Sequence, residues 1–254
     1  MKIIFYLIVA IALFTSCKKT VSNNTAGDVC ADIKATKIVA PSVVVYGQQI
    51  NVDVEKVVEE TIYDWRGPAN FSTYSNKFEF FNATLRNRGM YYLNVNNQDC
   101  ETHVDSVYIN VKLPQGTPTC NTTMNTGMYN NLANDSYTTV SKGIDASYGY
   151  KSLNCYGVGT LKVLFQQYWL NKEPEDGIYT TISSPTFDQI DYEFNKVFVT
   201  TTKSSIYWAS QPDQKVYVSH VNGKLQVRFC DLILSGYNGT SFTTKLSTNI
   251  IQTN

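Results

Sequence analysis

Apolar and polar residues alternate with a period of two along most of this chain, in short runs punctuated by Gly, Pro, Asn and Asp. Successive strand side chains point to opposite faces, so the pattern predicts half-buried strands. Six such runs lie in the first half, at residues 42–46, 49–54, 61–65, 77–81, 89–95 and 104–111. Short strands bounded by turn residues at this spacing are the pattern of a β-sandwich. Two prolines and a glycine then interrupt the alternation at Leu113-Pro114-Gln115-Gly116-Thr117-Pro118. Beyond it come runs at 136–142, 148–156, 160–166, 177–183, 190–202, 205–210 and 241–246. Runs at 215–221 and 224–232 flank Asn222-Gly223. That is a hairpin signal, because a type I′ turn needs two residues tolerant of positive φ. Asp176-Gly177 and Asn238-Gly239 mark two further turns. Strands in this meander order predict a second antiparallel sandwich or a small barrel. No stretch after residue 20 keeps helical periodicity for three turns. The expected fold class is all-β in two domains, 29–113 and 119–254, joined by a linker at 114–118.

Composition agrees: Tyr, Thr, Val, Ser and Asn are abundant, whereas Ala, Leu and Glu are sparse. Lys plus Arg number 21 and Asp plus Glu number 21, with no block of five or six like charges. Nucleic acid is therefore not an expected partner, since counterion release needs a clustered basic surface.

One segment departs from the strand pattern. Met1-Lys2 is followed by an apolar run from Ile3 to Phe14 and then by Thr15-Ser16-Cys17. A membrane-spanning helix needs about 20 apolar residues, and this run gives way at once to Lys18, Lys19 and a polar tail. A basic start, an apolar core and small residues before the break describe a signal peptide. The segment resembles the lipobox of bacterial lipoproteins, with Phe14 standing where Leu is commoner, a variation seen in the Bacteroidota. The resemblance implies a signal peptide over 1–16, palmitate-type acylation of Cys17, and a polar tether over 17–28. It implies a cell-envelope location, on the outer membrane of a Gram-negative bacterium. Acyl chains contribute about 0.8 kcal/mol per buried methylene, enough in combination to hold a soluble domain on a membrane. Lys18-Lys19 lacks the acidic cluster that accompanies surface export in such lipoproteins, so inward and surface-exposed orientations both stay open.

Export places Cys30, Cys100, Cys120, Cys155 and Cys230 where disulfides persist. Five is odd, so at least one thiol stays unpaired or pairs outside the chain. Their spacing matches no zinc pattern and only His103 and His220 are available, so no metal is expected.

Tyr63-Asp64-Trp65-Arg66-Gly67-Pro68, Phe71, Phe81-Asn82-Ala83-Thr84, Gly89, Tyr91 and Cys100 together resemble the immunoglobulin-like or PKD-like modules of Bacteroidota envelope proteins. The resemblance covers roughly residues 28–113 and speaks to fold, not ligand. It implies that Trp65 is a core residue, that Tyr91 is a tyrosine corner, and that Cys100 is disulfide-bonded. Cys30 is the candidate mate, although it lies well before the strand where the family often carries one. A Gly-Tyr-rich early strand, the stretch 173–179 and the stretch 221–234 are similar to calycin-like or β-sandwich domains that end many Bacteroidota lipoproteins.

No Ser-His-Asp or Cys-His arrangement can be assembled, and no catalytic residue or cofactor is expected. Glu173, Glu175 and Asp176 could in principle serve glycoside hydrolysis, but turn formers surround them, which describes a solvated loop. Gly157-Val158-Gly159 lacks a phosphate-loop lysine. Aromatic residues are the one ligand signal: Tyr148, Tyr150, Tyr156, Tyr168, Trp169, Tyr207 and Trp208 crowd the second half. Aromatics are also ordinary strand residues. Tyr168-Trp169 and Tyr207-Trp208 are adjacent pairs, and on a strand one ring of each pair must face outward. These four are the ligand-binding candidates. The expected function is a non-enzymatic lipoprotein, tied to the membrane at Cys17, whose spacer domain presents a distal β-domain to a glycan or an envelope protein. The alternative is a structural adhesin or assembly component that uses sheet edges, and an orphan hydrolase ranks last.

Overall fold

A computed structural model describes residues 26–130, 133–166, 173–185 and 195–253. The expected acylation site Cys17 and the ligand candidates Tyr168 and Trp169 therefore lie outside the described residues. In chain order the first half contains α1 (Ala26–Ala35), β1 (Ile38–Val39), β2 (Val43–Val45), β3 (Ile50–Val54), β4 (Ile62–Arg66), β5 (Ser72–Tyr74), β6 (Lys77–Phe80), β7 (Gly89–Asn96) and β8 (His103–Lys112). The second contains β9 (Thr126–Tyr129), β10 (Ala133–Ile144), β11 (Lys151–Gly157), β12 (Thr160–Gln166), β13 (Gly177–Thr181) and β14 (Lys196–Lys203). It ends with β15 (Ile206–Ser210), β16 (Lys215–Val221), β17 (Lys224–Tyr237) and β18 (Ser241–Ile251). No helix among the described residues is long and apolar enough to cross a membrane.

The first half is a sandwich of a three-stranded sheet, β1-β3-β6, on a five-stranded sheet, β2-β8-β7-β4-β5. Strict alternation drives it: Ile50, Val52 and Val54 are buried while Asn51 and Asp53 are exposed. Fully buried Trp65, Tyr91, Leu93 and Ile109 fill the space between the sheets. The β2 strand runs parallel to β8, with Val43 opposite Asn110.

Helix α1 corrects the sequence expectation, since it begins inside the segment read as tether. Its ten residues are under three turns, too few for a period of 3.6 to stand out in the sequence. Val29 and Ile33, one turn apart, seat it on the sandwich core, and the Cys30–Cys100 disulfide clamps it to the loop after β7.

Of the two architectures left open for the second half, the structure selects the barrel. The order β12-β11-β10-β9-β18-β17-β15-β14 closes because β14 also pairs with β12, a circuit of eight strands. The short β15 meets β17 only from Trp208 to Ser210. The remaining width between β14 and β17 is filled by β13, which runs parallel to β14, and by β16, which pairs with β17. An eight-stranded barrel is just wide enough for its own side chains to fill, and here Leu153, Val163, Phe165, Val199, Val227 and Phe229 do so. The second disulfide, Cys120–Cys230, ties the entry segment to β17 at an irregularity between Phe229 and Leu232. Cys155 is the free cysteine among the described residues, and burial pushes its thiol up to about 12.

Residues 113–118 do not hang loose between the two halves. Leu113 is buried in the barrel's core cluster, the Pro114 carbonyl accepts the Ile178 amide at 2.8 Å, and Gln115 donates to the Asp176 carbonyl at 3.0 Å. Gly177 lies against Leu113 with φ +152°, where an added Cβ would come within 2.4 Å of the Leu113 Cβ. Only glycine tolerates both the conformation and the approach. Tyr46 and Leu85 pack against both core clusters.

Candidate functional site

Most of the residues singled out for chemistry are engaged in holding the fold. Trp65 is fully buried, donates through Nε1 to the Ser75 carbonyl at 2.7 Å, and meets Phe78 edge-on at 5.1 Å. Tyr91 donates its hydroxyl to the carbonyl of Asn87, four residues upstream, at 2.9 Å, and burial pushes its phenol up to about 12. Glu175 pairs with Arg88, Glu173 with Lys142, and Asp176 with His220. The three clustered carboxylates thus face three different partner side chains. His103 sits 3.0 Å from the Thr36 carbonyl. Among the described residues no three His, Cys, Asp or Glu side chains converge in a geometry that could hold a metal.

The adjacent aromatic pair on β15 divides as a strand dictates. Tyr207 points outward and is 56% exposed. Trp208 faces the other side: its ring lies over Gly236, where a Cβ would sit 2.8 Å from the indole, and meets Phe242 edge-on at 4.8 Å. Trp208 packs against the barrel core and takes no part in the groove that Tyr207 borders.

That groove crosses the outer faces of β15, β17 and β18 and encloses about 620 Å³. Its floor is a cross-strand row of small side chains, Ala209 opposite Ser235 and Ser235 opposite Thr243. Tyr207 and Tyr237 rise along one side, on neighbouring strands, and Tyr237 is 70% exposed. At the other side Gln211 donates to the Ser235 hydroxyl at 3.0 Å. Apart from the two phenols, no lining residue ionises. Partial burial raises the Tyr207 pKa, the nearby Tyr148 adds to the rise and a hydrogen bond with Thr200 opposes it, so the phenol stays neutral at physiological pH. Tyr148 and Tyr150, on the turn before β11, stack at 6.4 Å with planes 4° apart. The groove can therefore offer flat apolar rings beside hydroxyl and amide groups, with no net charge.

Tyr237, Ser235, Gln211, Ser241 and Thr243 carry no motif, which is why the sequence did not mark them. The one available signal was Tyr237 beside the Asn238-Gly239 turn, in phase with Ser235 and out of phase with buried Leu234.

No protein-family model matches the chain, and no curated protein matches it. Among solved structures it is similar to murine CEACAM1b, at 12% identity over 85% of this chain and 99% of that one, with a TM-score of 0.28. It is also similar to extracellular domains 3–5 of Drosophila OTK, at 9% identity over 85% and 97%, with a TM-score of 0.28. A complex of Dpr11 IG1 with DIP-gamma IG+IG2 gives 10% identity over 85% and 97%, with a TM-score of 0.27. Likenesses at this level assign neither a function nor a site.

Proposed function

We propose that this chain is a non-enzymatic envelope lipoprotein, acylated at Cys17 and held on the outer membrane, whose barrel binds a neutral glycan in the groove bordered by Tyr207 and Tyr237. The observation that carries the reading is the make-up of that groove: two exposed phenol rings above a floor of Ala209, Ser235 and Thr243, with Gln211 and Ser241 also in the lining. Sugar rings present apolar C–H faces and polar hydroxyl edges, which such a surface complements. The absence of any Lys or Arg from the lining favours an uncharged glycan over a uronate or sialylated one, because an anion there would be desolvated without a partner. The sandwich serves as a spacer, fixed to the barrel through the 113–118 segment.

Retention of the detergent-solubilised protein on an array of neutral and acidic oligosaccharides tests the glycan reading. Neutral glycans are expected to be retained, and retention should fall when Tyr207→Ala is introduced with the melting temperature unchanged. Failure to retain any neutral glycan overturns it. Mass spectrometry of the protein from its native host tests the anchor independently, since an unmodified Cys17 would end that part.

A further inference from the structure

Strand registers carry the groove floor beyond the strands that line it. Ala209 of β15 lies opposite Thr200 of β14, Thr200 opposite Lys162 of β12, and Lys162 opposite Asn154 of β11. Side chains paired in register share a face of the sheet, so the row that begins at Thr243 and Ser235 continues along the outer wall of the barrel. The next row extends the aromatic rim in the same direction. Tyr207 lies opposite Thr202, Thr202 opposite Thr160, and Thr160 opposite Tyr156, which is 52% exposed. On the other side of the floor, the turn between β10 and β11 folds back over the wall. Asp145 accepts the Ser147 and Tyr148 amides at 2.9 and 3.0 Å and pairs with the Lys162 ammonium. That ion pair holds the turn, with its half-buried and stacked Tyr148 and Tyr150 rings, against the floor at Lys162. Lys162 is one register step from Thr200, which is hydrogen-bonded to Tyr207, and Tyr148 acts electrostatically on the Tyr207 phenol. Asp145 neutralises Lys162, so the extended floor still carries no net charge.

We propose, resting on the reading of the groove as a glycan site, that Tyr148, Tyr150 and Tyr156 form a second sugar subsite on this floor. The ligand is then a chain of several neutral sugars and not a single terminal residue. Neighbouring strands lie about 4.8 Å apart, so the row from Thr243 to Lys162, which crosses five strands, runs for roughly 19 Å along the wall. One sugar stacked on Tyr207 cannot reach the far rings, whereas a chain that follows the row meets aromatic faces near both ends. Between them Ser235, Ala209 and Thr200 are too small to block its path and two of them offer hydroxyls. The second set of rings is ordered by the turn before any ligand arrives, which lowers the entropy lost on binding.

Titration of the detergent-solubilised full chain with neutral glucan, mannan, xylan and galactan oligosaccharides of two to eight residues tests this, with thermal melting to confirm folding of each variant. For the linkage that binds, affinity should climb at least about ten-fold between two and six residues and then level off. Tyr148→Ala should remove most of that climb and leave disaccharide affinity unchanged, a dependence on chain length that a general loss of stability cannot produce. Tyr207→Ala should lower affinity at every length, and Tyr74→Ala, on the sandwich, should alter none. Affinity that is flat with length yet still dependent on Tyr207 overturns the second subsite and leaves the groove as a site for a single sugar. A climb with length that is indifferent to Tyr148→Ala, Tyr150→Ala and Tyr156→Ala also overturns it. Failure to bind any neutral oligosaccharide overturns the subsite and the glycan reading together.

Discussion

Arg88 and Glu175 meet fork to fork between the sandwich and the barrel, with Nη2 2.8 Å from Oε2, while the Arg88 Nε donates to the Val111 carbonyl at 2.7 Å. The pairing raises the Arg88 pKa against the opposing effect of burial. One guanidinium therefore links a residue at the start of β7, the end of β8 and the turn before β13. A planar fork can satisfy these acceptors together and a lysine cannot.

Arg88→Lys should loosen the joint, and Arg88→Ala should cost about 1–3 kcal/mol because the Val111 carbonyl and the Glu175 carboxylate both lose their donor. Small-angle scattering should show a broader distribution of distances for either variant, with the secondary structure retained. Scattering curves that superimpose on the parent would mean that Leu113 and the 114–118 segment fix the joint without this pair.

How much of this was legible in the sequence follows from how local each determinant is. The strands were legible because a period of two is a nearest-neighbour property, and the Asn222-Gly223 hairpin appeared where its turn chemistry stands, between β16 and β17. The choice between sandwich and barrel was not legible. It rests on β14 pairing with β12 as well as β15, contacts that leave no mark on spacing. Four short elements were missed for a related reason: β1, β5 and β9 are two, three and four residues long, and α1 acquires its amphipathic face from the core it meets. At the groove, alternation separated Tyr207 from Trp208 but could not say which ring faces out. Gly236 decides that, by making room for the indole on the inner side.

Alkaline pH should unfold the protein through groups that keep their protons only when folded. Burial pushes Tyr91 and Cys155 up to about 12, and raises Tyr137 and Tyr179 as well. Each binds its proton more tightly in the folded state. Its contribution is thus complete below the ordinary thiol or phenol value and is lost as pH rises toward the folded value. The loss is at most about 1.4 kcal/mol per pH unit for each group. Urea midpoints should fall steadily above about pH 9, and Tyr91→Phe should flatten the fall while costing about 1 kcal/mol at neutral pH for the lost bond to Asn87. Midpoints that hold constant to pH 11 would contradict this.

The two disulfides should be inert to reagents that report thiols, and so should Cys155 in the native state, because its thiol is buried and its thiolate disfavoured. Dithionitrobenzoate in denaturant without reductant should release a single equivalent if Cys17 is blocked by acylation, and two if it is not. Opening Cys120–Cys230 by Cys120→Ala with Cys230→Ala should cost about 2–5 kcal/mol, as expected for a crosslink that closes a long loop. Its sequence separation is 110 residues.

Tyr207, Tyr237 and Trp208 lie on neighbouring strands, yet their alanine variants should fail in different assays. Tyr207 and Tyr237 border the groove and touch little of the core, so each should lose roughly ten-fold in affinity for a retained neutral glycan, about 1.4 kcal/mol, with stability unchanged. Trp208 rests on Gly236 and Phe242, so Trp208→Ala should lower stability by roughly 2–3 kcal/mol, below the 3–5 kcal/mol of a fully buried aromatic. Its affinity should be kept while the protein remains folded. Titration calorimetry beside thermal melting separates the two effects. If Trp208→Ala abolishes binding in a protein that still melts like the parent, the indole contacts the ligand and the division of faces described here is wrong. If Tyr207→Ala and Tyr237→Ala leave affinity intact, the sugar is held elsewhere on the barrel.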